Sequence, residues 1–516
     1  MSGPHATGRS DPTPPSGAWE RGDDRPNVRD QIVALRRERI AAEGHALRAD
    51  VPTERAAPLV RFLREPPLIC EIKRRSPSRG AISVDLDPVE LAGRYAERGV
   101  RSVSVLTEED HFAGSLADLM AIKRAHPDLA VLRKDFLVDV EDVEVSYRAG
   151  ADAILLIASV LPAEELAEMH ACATELGMAA LVELHDEEDF EKAGRLAPPL
   201  VGINARDLAT FRVDLLSPVR LRNRITWRHR CIFESGVFTH GDALLVSASG
   251  FGGLLVGEAA VRDQEAIGGI LAGLQGERPP GARRGDGAPA LHPRADFWLR
   301  LMQRAREDRP LAKICGITNR VDAELAIGLG ADVLGFNFAD SPRRVEPALL
   351  EELGGVDGVR DALKVAVVVT GGDHGALPAE VGDLLERGLI DAVQFHGDEE
   401  PEECAARAFP YYKALRLGNP EAADEVGRYR SPRVLVDARD ERAYGGTGKR
   451  VSPEVVAAVR RRVPLWLAGG LNDRNIASVA SAYRPELVDV SSGVEAEPRR
   501  KDAAKLRRFF EELRYE

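Results

Sequence analysis

The chain has 516 residues, too many for one ordinary core, so two or more domains are expected. Hydrophobic residues make up 44% and charged residues 30%, as in globular proteins, and no apolar run approaches the roughly 20 residues that cross a bilayer. The net charge is −13 with no long basic run, which argues against nucleic-acid binding and leaves anionic small molecules open, since a few local groups outweigh a distant field.

From the start of the chain, residues 1–27 are rich in Pro, Gly, Asp and Arg and lack an apolar signal-peptide core, so they read as a disordered tail. The five cysteines (Cys70, Cys172, Cys231, Cys315, Cys404) are odd in number and form no CxxC pair, which points to a reducing, cytoplasmic setting. From Pro67 a unit repeats: a short apolar run, a polar loop, then a helical stretch rich in Ala, Leu, Glu and Arg. Strand-like runs begin at Leu68, Ser102, Ala130, Ala153, Ala180, Val201, Cys231 and Leu254. Eight such units within residues 28–275 fit one closed barrel better than an open doubly wound sheet. Gly276 to Gly287 is loaded with Gly, Pro and Arg and reads as part of a linker over 276–310. Within it, Ala295 to Asp308 has helical spacing, with Phe297 and Leu301 or Trp298 and Met302 on one face, and is expected to dock on a barrel. The pattern then restarts over 311–516, with runs at Leu311, Val333, Leu363, Ala392, Tyr411, Arg433, Leu465 and Leu487. The expected fold class is α/β, two tandem TIM (β/α)8 barrels.

In such barrels reacting groups sit where strands end, at one shared mouth. In the first barrel the apolar runs end in Glu71 and Lys73, Lys134, Glu183, Asn204, and Glu234-Ser235-Gly236. One charged strand end is ordinarily a structural ion pair at the rim. Several converging on one mouth are costly to bury without a task. The last two loops of this fold grip phosphate through backbone N–H groups that glycine makes accessible. Here they read Glu234-Ser-Gly-Val and Val256-Gly-Glu in the first barrel, Leu467-Ala-Gly-Gly-Leu and Val490-Ser-Ser-Gly-Val in the second. A glycine pair alone is more often a tight turn. The same pair at the same ordinal position in both barrels points to two phosphate sites.

These residues carry a family resemblance. Glu71-Ile-Lys-Arg-Arg-Ser-Pro-Ser-Arg-Gly, Val105-Leu-Thr-Glu-Glu, Leu132-Arg-Lys-Asp-Phe, Gly202-Ile-Asn-Ala-Arg-Asp-Leu and Glu234-Ser-Gly resemble, in order, the signature of indole-3-glycerol-phosphate synthases. The second half is similar to phosphoribosylanthranilate isomerases through Lys313-Ile-Cys-Gly-Ile-Thr, Phe338-Ala-Asp-Ser-Pro-Arg, Val393-Gln-Phe-His-Gly, Gly445-Gly-Thr-Gly and Leu467-Ala-Gly-Gly-Leu. The resemblance implies a bifunctional enzyme of tryptophan biosynthesis. Its second barrel would turn phosphoribosylanthranilate into carboxyphenylaminodeoxyribulose phosphate, and its first would close the indole ring with loss of carbon dioxide and water.

By the same resemblance Lys134 is the general acid of the synthase, since an ammonium donates a proton and neutralises a developing alkoxide. Glu71, Lys73 and Glu183 are the further acid–base set, with their division of roles open. Asn204, Arg206, Glu234 and Ser235 would orient the substrate, and Ser76, Gly236 and Gly257 would hold its phosphate. Two departures stand out: Ala205 where relatives carry a second Asn, and Gly257-Glu-Ala-Ala where many carry Ser or a larger apolar residue. In the isomerase the resemblance makes Asp437 the acid that opens the ribose and Cys315 the base that moves the neighbouring proton. A thiol does this only if local charge or hydrogen bonds favour the thiolate, and a plain buried Cys is the bland alternative. Arg343 would hold the anthranilate carboxylate; Gly470 and Ser491, Ser492 and Gly493 would bind phosphate. His396 either shapes the pocket or is an ordinary core or rim histidine.

Another enzyme on this fold, such as a histidine-pathway sugar isomerase, would place Asp at the ends of strands one and five. Those ends carry Glu71 and Glu183 in one barrel, Cys315 and Arg416 in the other. A decayed, non-enzymatic scaffold would have lost its expensive charges first, and here they remain. No metal cluster or nucleotide fingerprint is visible, so no cofactor is expected; a monomer is favoured, and fusion alone does not imply channelling.

Overall fold

In the computed structural model, residues 28–76, 80–81, 86–207, 212–263, 265–275, 293–370, 377–405, 409–438 and 451–515 are described. They form two closed barrels of eight parallel strands, each strand paired with its neighbours in chain order and the last with the first. The first comprises β1 (Leu68–Ile72), β2 (Ser102–Leu106), β3 (Ala130–Lys134), β4 (Ala153–Ile157), β5 (Ala179–Leu184), β6 (Leu200–Asn204), β7 (Arg230–Glu234) and β8 (Gly253–Val256). The second comprises β9 (Leu311–Cys315), β10 (Val333–Asn337), β11 (Leu363–Val368), β12 (Ala392–Phe395), β13 (Tyr411–Leu417), β14 (Val434–Ala438), β15 (Trp466–Leu467) and β16 (Leu487–Val490). Helices of the first barrel start behind side-chain caps that turn the chain out of each strand: Asp87, Ser115, Asp139, Asp186 and Thr239 each accept a backbone N–H of the first helical turn.

Strand parity aims the polar residues. In a strand, successive side chains point to opposite faces. Cys70, Val131, Val182, Val201 and Phe233 belong to the apolar shell between sheet and helices. Ile69, Leu132, Leu181 and Ile232 belong instead to the barrel interior. Residues two further along share that interior face, and these are Glu71, Lys134, Glu183 and Glu234. In the second barrel the shell takes Ile314 and Val436, which turns Cys315 and Asp437 inward.

Each barrel is plugged at its lower end, where the strands begin. Phe62 and Leu63 close the first, packing with Ile69, Ala130 and Ala153. The second is closed by the helix Pro293–Arg304, whose Phe297, Trp298 and Leu301 pack on the strand starts Leu311, Val333, Leu363, Ala392, Trp466 and Leu487. The same cluster includes Leu216 and Leu245 of the first barrel, so this helix is wedged between the two. Arg433, wholly buried, pairs with Asp214 of the first barrel at 2.7 Å and with Glu486 of its own. Burial would raise the Glu486 carboxyl, but Arg433 outweighs it and holds the group down to about 2. Cutting one side of such a buried pair costs on the order of 3–5 kcal/mol. The upper mouth of the second barrel therefore opens at the end opposite this junction.

Among the described residues, no helix is long and apolar enough to cross a membrane. All five cysteines are free.

Two candidate active sites

At the upper end of the first barrel, Lys134 Nζ lies 2.9 Å from Glu234 Oε2 and 3.2 Å from Glu183 Oε2. Asn204 Nδ2 donates to the other Glu183 oxygen at 3.2 Å, and Lys73 Nζ meets Glu71 Oε1 at 2.5 Å. Burial pulls the Lys134 ammonium down, but the Glu183, Glu234 and Glu71 carboxylates outweigh it and hold the group above its ordinary value. Glu183 and Glu234 flank the same ammonium. Burial, followed by the charge on Glu183, pushes Glu234 up to about 8. Burial acts the same way on Glu183, yet Lys134 and His185 overcome it and hold that carboxyl well below the usual range.

The cavity above this cluster is lined by Glu71, Lys73, Lys134, Glu183, Asn204, Arg206, Ser235, Gly236 and Gly257. Phe112, Phe136, Leu155 and Ile157 add an apolar wall, suited to an aromatic ring. Ser76 ends the short strand Arg75–Ser76; its side chain lies outside the described residues. Glu234 does not line the cavity: it is 1% exposed and holds Lys134 from below. The helix Val28–Glu43 is tied to the region after β3 through Arg36, which pairs with Asp142 at 2.6 Å, and through Ile32, which packs in the same interior cluster as Phe136.

The two barrels have matching backbones in their last loops. After β7, Ser235 and Gly236 have φ of 70° and 81°; after β15, Gly469 and Gly470 have φ of 87° and 64°. After β8, Gly257 sits at φ −112°, ψ −83°, and after β16, Ser491 sits at φ −127°, ψ −87°. Loops at these two positions of the fold receive phosphate through backbone N–H groups, which glycine leaves accessible. Gly257 also has a steric duty: a Cβ there would come within 2.6 Å of Glu71 Oε1 and 2.9 Å of Lys73 Nζ.

In the second mouth, Cys315, Asn337, Arg343, Gln394, His396, Asp437, Gly470, Asp489, Ser491, Ser492 and Gly493 line one cavity. The Cys315 thiol faces Asn337 Oδ1 at 3.8 Å. Burial raises this thiol, and Lys313, the largest opposing influence, does not cancel it, because Lys313 is itself held by Asp489 at 2.5 Å and Gln394 at 2.8 Å. Local positive charge does not by itself supply the thiolate. Asp437 is reached by His396 Nε2 at 3.3 Å, and His396 Nδ1 meets Gln394 Nε2 at 2.9 Å. Arg343 pairs with both oxygens of Glu495 at 2.8 and 2.7 Å. The Gly445-Gly-Thr-Gly motif lies outside the described residues.

Motif reading missed His185, Gln394, Glu495, Lys501 and Asp489. Gln394 and Asp489 share the inward parity of their neighbours, a signal available in the pattern. Glu495 and Lys501 come from a two-stranded hairpin after the last barrel strand, which no periodicity marks. Among the described residues, His45, Asp139 and Asp142 bring ligand-type atoms within 4.8 Å of one another, but Asp142 is already committed to Arg36.

Two parallel barrels, each with an anion-receptive backbone after its last two strands and an acid–base set facing its mouth, define a tandem enzyme for small phosphorylated molecules. Residues 28–270 match the family model for indole-3-glycerol phosphate synthase, and residues 312–512 that for N-(5'-phosphoribosyl)anthranilate isomerase. A tryptophan biosynthesis protein of Phytophthora nicotianae is 30% identical over 483 residues, covering 83% of this chain and 87% of that one. A multifunctional tryptophan biosynthesis protein of Schizosaccharomyces pombe is 30% identical over 86% of this chain, which spans only 59% of the relative's length. An indole-3-glycerol phosphate synthase of Geobacillus kaustophilus is 41% identical over 241 residues, 46% of this chain and 92% of its own. The chain belongs to both families: a tryptophan-biosynthesis enzyme with an indole-3-glycerol phosphate synthase as its first barrel and a phosphoribosylanthranilate isomerase as its second.

Proposed function

We propose that the second barrel acts first and the first barrel second, with the residues above in the following roles. In the isomerase, Asp437 protonates the ribose ring oxygen so that the ring opens to an imine. Cys315 then removes the proton from the neighbouring carbon, and the resulting enolamine becomes the ketose. The base form is the Cys315 thiolate, which the Lys313 ammonium favours against burial. Arg343 exchanges part of its pairing with Glu495 for the anthranilate carboxylate. Gly470 and Ser491 to Gly493 take the phosphate, and His396 positions Asp437.

In the synthase, Lys134 protonates the ketone oxygen as the ring carbon attacks it; carbon dioxide leaves, and Glu183, Lys73 and Glu71 share the removal of water. Asn204, Arg206 and Ser235 orient the substrate, Gly236 and Gly257 receive its phosphate with Ser76, and Glu234 acts through Lys134. The observation that carries this reading is Lys134 seated between two buried glutamates beneath an apolar cavity, with left-handed anion loops at its edge. We also propose that the protein works as a cytoplasmic monomer without a cofactor. Supporting this, the second barrel's lower end is covered within its own chain.

The test is to supply phosphoribosylanthranilate made in situ and follow anthranilate fluorescence together with indole-3-glycerol phosphate. Product without added metal or cofactor is expected. Substrate loss that halts at carboxyphenylaminodeoxyribulose phosphate would refute the synthase assignment, and no substrate loss would refute the Cys315/Asp437 assignment.

A further inference from the structure

We infer that His185 is a positioning residue of the synthase mouth: its ring, held between Glu183 and Asp189, keeps Glu183 a carboxylate at neutral pH. The inference rests on the proposed place of Glu183 in the acid–base set. His185 follows Glu183 by two residues, so it points to the same interior side just past the end of β5. Its Nε2 lies 3.0 Å from Glu183 Oε1 and its Nδ1 3.5 Å from Asp189 Oδ2, contacts made as ion pairs rather than aligned hydrogen bonds. Asp189 is itself fixed, accepting the His185 backbone N–H at 3.0 Å and donating its own to Asp186 at the start of the helix Glu187–Leu196.

An imidazole between two carboxylates has no acceptor role to fill. In either neutral tautomer one ring nitrogen would turn a lone pair onto a carboxylate oxygen, a repulsive contact inside a buried site. Both nitrogens therefore hold protons. The surroundings agree: burial pulls the imidazolium down, but Asp189 and Glu183 overcome it and push it up to about 10.

The charges facing the two glutamates are then unequal. Glu183 meets the Lys134 ammonium, the His185 imidazolium and the Asn204 amide. Glu234 meets the same Lys134 and the charge of Glu183. Other ionised groups of this mouth are Glu71 with its partner Lys73, and Arg206, whose charge bears on Glu71. A carboxyl flanked by more cations ionises more readily. Glu183, which lines the cavity, is thereby kept free to accept a proton at neutral pH. His185 acts through Glu183 and is a positioning residue.

The test measures synthase kcat and KM from acid to alkaline pH in the full chain, comparing the native protein with His185→Gln and His185→Lys, the isomerase activity of each sample reporting intact folding. His185→Gln should move the acidic limb of kcat upward by about one pH unit, roughly a tenfold loss on that limb that disappears at alkaline pH, with KM within about threefold. His185→Lys, which keeps a cation beside Glu183, should restore most of the native limb. A loss in His185→Gln of equal size at every pH, or identical profiles for the two variants, would overturn the inference while leaving the synthase assignment standing. Native protein with no synthase turnover at any pH would instead remove the assignment itself and the inference with it.

Discussion

The two mouths hold their phosphate loops in common and differ in nearly everything else. After the seventh and eighth strands the backbones match, left-handed pair for left-handed pair, although one is Ser235-Gly236 and the other Gly469-Gly470. Over the earlier strands the first barrel assembles a charged cluster around Lys134. The second keeps its proposed acid and base apart. The Cys315 thiol faces a neutral amide, the Asp437 carboxylate a histidine, and Arg343 pairs with Glu495. A ring closure that builds alkoxide charge benefits from a cation fixed in advance, because no reorganisation is then needed in the transition state. A proton shift between neighbouring atoms needs two groups on different sides of the substrate, and these need not touch each other. The difference shows that one fold keeps its grip on the handle of the substrate while the chemistry varies strand by strand.

The largest effects should divide cleanly between the barrels. Lys134→Ala should lower synthase turnover by roughly three orders of magnitude or more, and Cys315→Ala should do the same to the isomerase, each leaving the other activity intact. Steady-state assays of each half-reaction check this, and cross-inhibition would break the picture of two separate sites.

A smaller effect sharpens the comparison at its steric level. In both barrels a strand glycine makes room for a side chain of the site or of its support. Gly202 pairs with Glu183 on the adjacent strand, and a Cβ there would collide with Glu234. Gly335 pairs with Cys315, and a Cβ there would come within 2.9 Å of the thiol. Gly202→Ala should cost the synthase about tenfold to a hundredfold in kcat, and Gly335→Ala a similar factor in the isomerase, since about 1 Å of misplacement is enough. Unchanged turnover would count against Glu234 as the support of Lys134 in the one variant, and against Cys315 as the base in the other.

Much of this was legible before any coordinates. The sixteen strands follow from short apolar runs at regular intervals, because a strand covered on both faces must be apolar throughout. The residues ending those runs, Glu71, Lys134, Glu183, Cys315 and Asp437, all reach a mouth. Other features were hidden for physical reasons. Glu234 looks like a substrate contact from its motif, yet whether a strand end tops the cavity or lies under a neighbour depends on side-chain stacking. Arg343 was expected to be ready for a carboxylate, and its parking on Glu495 depends on a hairpin distant in sequence. His185 stands in a plain Leu-His-Asp run, and only the convergence of Glu183 and Asp189 on its ring marks it.

The separation of the mouths leads to the most direct test. The second barrel opens away from the junction that Phe297, Trp298 and Leu301 fill, and its cavity shares no lining residue with the one at Lys134. The measurement is to mix Lys134→Ala protein with Cys315→Ala protein, supply phosphoribosylanthranilate, and follow indole-3-glycerol phosphate. Each variant alone should make essentially none, the Lys134→Ala sample should accumulate carboxyphenylaminodeoxyribulose phosphate, and the mixture should regain flux. A mixture that stays inactive, although each partner keeps its own remaining half-reaction, would contradict two independent sites working in succession.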